Sequence, residues 1–91
     1  MSTLVSNTIT FRDVSYEVRE ISGRIMREVR KRLKDQPETV EAFLAWACTV
    51  DPKFASETAA ADESHALLKA ITEEAYRLST VSTEEGAVKN A

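Results

Sequence analysis

Pro37-Glu38-Thr39-Val40-Glu41-Ala42-Phe43-Leu44-Ala45-Trp46-Ala47-Cys48 is the stretch whose reading decides the fold. Val40, Phe43, Leu44, Ala47 and Cys48 recur at i, i+3, i+4, i+7 and i+8, the spacing of one helix face. Pro37 suits a first helical position, where a missing N–H costs nothing, and Glu38 and Glu41 complement the positive end of the dipole. Trp46 lies off the stripe. Thr49-Val50-Asp51-Pro52 then breaks the helix, and Asp51-Pro52 can cap a short turn running through Phe54.

Upstream, Ser22 is a plausible N-cap for a helix whose apolar stripe is Ile25, Met26, Val29 and Leu33. Its other faces carry Arg24, Arg27, Arg30, Lys31, Arg32 and Lys34 against Glu28, and it should stop at Asp35-Gln36-Pro37. Further back, Ile9 and Phe11 alternate, and after Arg12-Asp13 the alternation resumes in Val14, Tyr16 and Val18 with its parity shifted by one. That pattern fits a bent strand or a short hairpin. A lone hairpin is marginal in water, so the segment has to pack on helices or pair with another chain.

Downstream, residues 55–65 fit an exposed loop or a weak Ala-rich helix equally well. Asp62 or Ser64 can cap a last helix with the stripe Leu67, Leu68, Ile71, Ala75 and Leu78. Residues 1–7 are expected to fray, and 80–91, which lack periodicity, to form a flexible tail. The expected fold is therefore mainly α: one small domain over residues 8–79, with three principal helices and a short N-terminal β strand or hairpin.

Ninety-one residues with 43% hydrophobic content support one thin core. No apolar run reaches signal-peptide or membrane-span length, so a soluble chain is expected. Cys48 is the only cysteine, which rules out an intrachain disulfide and points to a reducing, cytoplasmic setting. Charge is polarised along the chain. Residues 1–34 hold eight Lys/Arg and four Asp/Glu, a net +4, whereas 35–91 hold four and eleven, a net −7.

No catalytic site assembles from these residues. Cys48 and His65 are the sole members of their types, but Cys48 sits on an apolar stripe, where structural cysteines are common and inert. Asp62, Glu63 and His65 match no metal-ligand spacing, and no metal or other cofactor is expected. Pairs such as Glu73-Glu74 and Glu84-Glu85 lie among polar residues, away from the enclosed setting that acid–base chemistry needs. Gly23 and Gly86 are too few for a phosphate loop.

Six of the twelve Lys/Arg fall within residues 24–34, a clustering that can mark phosphate contacts. The acidic chain as a whole and the lack of any zinc-finger or RNP-type motif argue against nucleic acid and for an acidic protein partner. Arg27, Arg30, Lys31, Lys34 and Trp46 are the expected contact residues, since tryptophan and arginine are enriched at interface hot spots. Trp46 could equally pack under the loop at residues 50–60. The opposed charges suit head-to-tail self-association. A small nucleic-acid-binding regulator using the basic helix is the alternative.

Three stretches, in order, resemble the tail assembly chaperones of long-tailed, siphovirus-type bacteriophages. They are Val14-Ser15-Tyr16-Glu17-Val18-Arg19-Glu20-Ile21-Ser22-Gly23-Arg24, then Ala47-Cys48-Thr49-Val50-Asp51-Pro52-Lys53-Phe54, then Ala75-Tyr76-Arg77-Leu78-Ser79. The resemblance covers about residues 8–80. It implies a mainly helical, non-enzymatic protein of the host cytoplasm, absent from the mature virion. Such proteins tend to assemble into spirals, coat the tape measure protein and recruit tail tube protein. Many also exist in a longer frameshifted form, for which residues 80–91 would be the point of extension.

Overall fold

The parity shift at residues 12 and 13 is a tight hairpin turn. In a computed structural model, which describes residues 4–90 and side chains as far as Thr80, β1 (Ser6–Phe11) and β2 (Val14–Arg19) pair antiparallel, with Phe11 opposite Val14 and Ser6 opposite Arg19. Arg12 and Asp13 both have positive φ, 49° and 68°, as a two-residue type I′ turn requires. Neither is glycine. Replacing the pair with Asn-Gly should therefore stabilise the fold by about 1 kcal/mol by relieving the left-handed backbone; a thermal midpoint that stays put or falls would contradict this.

Helix α1 (Gly23–Asp35) begins at Ser22, whose hydroxyl accepts from the Ile25 N–H at 3.2 Å. It ends before Pro37, where a 3-10 turn (Pro37–Thr39) leads into α2 (Val40–Cys48). The chain then becomes β3 (Thr49–Asp51), which pairs antiparallel with β2 through Val18 and Glu17. Asp51-Pro52 is a cis peptide. Next comes a short α3 (Glu57–Ala61), capped by Ser56, and finally α4 (His65–Asn90).

The expected fold class is thus corrected. The molecule is mixed α and β, a three-stranded antiparallel sheet in the order β1-β2-β3 with four helices, and not three helices with an N-terminal strand or hairpin. The third strand was hidden because three residues ended by a proline are too few to show alternation. Residues 55–65, open between loop and helix, hold the single turn and a half of α3. Asn7 and Ser6, within the segment expected to fray, belong to β1, while residues 1–3 lie outside the described residues. The backbone of α4 continues as helix as far as Asn90, through the described part of the stretch expected to be a tail.

Helix α2 is the hub, packing against α1, α3 and α4. Its stripe residues Phe43, Leu44 and Cys48 are buried as expected, but so are Ala42 and Ala45, so α2 is covered on most of its surface. Val18 of β2, Val29 of α1 and Leu67, Leu68, Ile71 and Ala75 of α4 pack with them in the core, and Ala60 of α3 is buried as well. Thr49 is buried too, and its hydroxyl donates a hydrogen bond to the Ala45 carbonyl at 2.6 Å. Leu33 departs from its expected place in the core: it is 55% exposed, facing a shallow groove with Tyr76 of α4. The Leu78-Ser79 end of the last stripe ties α4 to the connection between β2 and α1. Ser79 Oγ accepts from the Ile21 N–H at 2.9 Å and donates to the Ala75 carbonyl at 2.8 Å. No helix among the described residues is long and apolar enough to cross a membrane.

Candidate protein-binding groove

The C-terminal half of α2 meets the first turns of α1 and the residues flanking β3. Trp46 projects there because it lies off the stripe that faces α4. Its ring stands 6.2 Å from that of Phe43, tilted by 55°. Lys53, from the segment after β3, places Nζ 5.5 Å over the indole and donates to the Trp46 carbonyl at 3.1 Å. The expectation that Trp46 packs under the loop at residues 50–60 is therefore met on one side of the ring, by Lys53. The loop covers one side of the ring, and the rest lines an open groove of about 430 Å³.

Ile25, Phe43, Trp46 and Ala47 make that groove mainly apolar, and Arg19, Arg24 and Lys53 ring it with positive charge, against Glu28 alone. Arg19 donates weakly from Nη2 to the Ala47 carbonyl, at 3.4 Å. Its Nε is buried and, among the described residues, has no acceptor. A buried donor without a partner is costly, so this guanidinium is under-satisfied where it stands. The geometry suits a ligand with an apolar face and carboxylates at its margins. Nothing in the sequence pairs Arg19 with Trp46, and Lys53 is marked only as one residue of the loop at 50–60. They come together because β3 returns beside β2, and that strand was not expected.

Arg32 performs a different task from the one its place on the basic face suggests. It pairs with Glu28 at 2.8 Å and Glu57 at 2.7 Å, and its guanidinium lies 4.3 Å over the Phe43 ring. It thereby joins α1, α2 and α3. These hydrogen bonds raise the Arg32 pKa and hold the Glu28 carboxyl below its ordinary range.

The remaining expected contact residues lie elsewhere. Arg27, Arg30, Lys31 and Lys34 are all exposed, and their i, i+3, i+4 and i+7 spacing puts them on one face of α1. None of the four lines the Trp46 groove. The structure thus separates the five expected residues into a basic stripe and an aromatic groove, the latter served by Arg24 and by two cations that sequence reasoning missed.

Cys48 and His65 are not brought together. His65 is exposed and pairs with Glu41 at 2.9 Å, two turns of α2 (about 10 Å) from Cys48. Cys48 is fully buried, and burial pushes its thiol up from 9.0 to about 11. The folded state therefore keeps a proton that the unfolded chain loses from pH 9 upward, so stability should fall as pH rises through that window. The full effect is about 2–3 kcal/mol. Urea midpoints of the wild type and Cys48→Ala should accordingly converge between pH 8 and pH 11. A constant gap would contradict a thiol held neutral by the fold. Among the described residues no group of three His, Cys, Asp or Glu is placed to hold a metal ion.

Compared with protein-family models, curated proteins and solved structures, the chain finds no match in any of the three.

Proposed function

We propose that the chain is a non-enzymatic assembly factor, a tail assembly chaperone of a long-tailed bacteriophage. In this reading it holds the tape measure protein in the host cytoplasm, supports recruitment of tail tube protein, and is absent from the finished virion. The observation that carries the reading is the cation-ringed aromatic groove. Its floor of Ile25, Phe43, Trp46 and Ala47 offers a seat for the apolar side of an amphipathic client helix, and Arg19, Arg24 and Lys53 favour acidic residues along that helix's edges. The order of the three resembling stretches supports the same reading. So does the polarised charge, which favours salt-sensitive association between copies.

Co-expression with the tape measure protein of the same phage tests the proposal. The client should remain soluble with the wild-type chain and aggregate with the double variant Arg24→Glu/Lys53→Glu. A tape measure protein equally soluble without this chain would overturn the reading.

The exposed stripe Arg27, Arg30, Lys31 and Lys34 favours one further expectation. Duplex DNA and RNA should bind only weakly and without sequence preference at physiological salt. Observed affinity should fall steeply with salt, by a log–log slope of roughly 0.9 per phosphate neutralised on duplex DNA. Submicromolar, sequence-specific binding in a fluorescence-anisotropy titration would instead support a nucleic-acid regulator.

A further inference from the structure

The two edges of the sheet are built differently. β3 is three residues long, carries Asp51 and runs into Pro52, all of which discourage a further strand from joining it. β1 has none of these protections. Ser6-Asn7-Thr8-Ile9-Thr10-Phe11 contains no charge and no proline, and it pairs with β2 in unbroken register along all six residues.

The register also tells which backbone groups point outward. In a two-residue hairpin the residues closing the turn exchange hydrogen bonds, and such pairs then recur at every second position. Phe11 with Val14, Ile9 with Tyr16 and Asn7 with Val18 are therefore the bonded pairs, and the Glu20 N–H to Val5 carbonyl bond of 2.8 Å continues the series. The N–H and C=O groups of Ser6, Thr8 and Thr10 face the other way. All three residues are exposed, and among the described residues no backbone bond reaches them from another element.

We infer that the outer edge of β1 is a self-pairing edge, which joins antiparallel to β1 of a second copy about a two-fold axis through Thr8. The sequence is complementary to itself in that register. Thr8 meets Thr8 and exchanges both backbone bonds with it, and Ser6 meets Thr10 in each direction. Hydroxyl pairs of this kind are favourable across strands, and no like charges are opposed on the joining strands. On the other face Val5, exposed at its present edge, lies opposite Phe11 of the partner copy, so an apolar residue now in water gains an apolar neighbour. The two hairpins become one continuous sheet, with the helices of both copies on the same side. This dimer is independent of the proposed chaperone role and differs in kind from charge-driven assembly, because backbone bonds and apolar contacts resist screening.

Sedimentation of the full chain at about 1 M salt, where the Debye length is roughly 3 Å, separates the two modes. A dimer is expected to persist there at micromolar concentration. Thr8→Pro removes an outward N–H that takes no part in the bonds to β2, though its ring also fixes φ, and Thr8→Lys opposes two like charges at the axis. Each variant should weaken dimerisation at least tenfold while preserving the far-ultraviolet circular dichroism spectrum. If Thr8→Pro does not fold, Thr8→Lys decides. A wild type that is monomeric at high salt, or a dimer unaffected by Thr8→Lys, would overturn the inference. Loss of association only at high salt would leave charge-driven assembly standing and remove the edge dimer.

Discussion

Leu44→Ala is expected to cost about 3 kcal/mol, whereas Leu33→Ala should cost under about 1 kcal/mol. Leu44 is 1% exposed in the middle of α2, the helix that packs against α1, α3 and α4. Truncating it removes transfer energy and leaves a cavity that the packed surroundings only partly close. Leu33 is more than half exposed, so most of its surface is in water before and after truncation. A domain of this size holds only about 5–13 kcal/mol in total, so the first variant should lower the thermal midpoint by roughly 12–24 °C. Similar losses from both variants would show that the stripe Ile25, Met26, Val29 and Leu33 is wholly buried, as the sequence periodicity suggests and the structure does not.

Trp46→Ala should weaken client binding by about 2–3 kcal/mol, roughly 30- to 150-fold, at little expense in stability. The indole forms one wall of the groove, yet it is only half-buried and its neighbours Phe43 and Lys53 have other supports. Arg27→Glu on the outer face of α1 should leave the same affinity within about threefold, because Arg27 does not line the groove. The contrast separates a client held by the aromatic groove from one held by the basic stripe. Equal losses would assign the interface to both surfaces.

Much of the fold is legible in the residues, and its gaps have physical causes. The cap at Ser22, the stop before Pro37 and the burial of Phe43, Leu44 and Cys48 are written in short-range signals, and each stands where the sequence puts it, whereas Val40 and Ala47 of the same stripe are only half-buried. The hairpin turn is less visible, because Arg12-Asp13 adopts a conformation usually marked by Asn-Gly. Strand β3 escapes notice because Thr49, Val50 and Asp51 gain their identity only by pairing with Glu17 and Val18, more than thirty residues away. Burial of Ala42 and Ala45 is likewise a tertiary fact, as small residues sit comfortably at either a surface or a core. The candidate site inherits these limits. Trp46 could be singled out from composition alone. Arg19 and Lys53 could not, since they reach it only through the strand that the pattern conceals, and Arg32 looks like its neighbours until Glu57 is placed beside it.

Trp46 is the chain's single tryptophan, so its fluorescence reports on the groove without any label. The most direct measurement is therefore a titration of the chain with an amphipathic helical peptide of the tape measure protein that bears acidic flanks. Its emission should shift to the blue and saturate, the affinity should drop in Arg24→Glu, and a peptide with its acidic residues replaced by lysine should bind at least tenfold more weakly. An emission spectrum unmoved by the peptide, with binding nonetheless detected by calorimetry, would place the client elsewhere and contradict the groove.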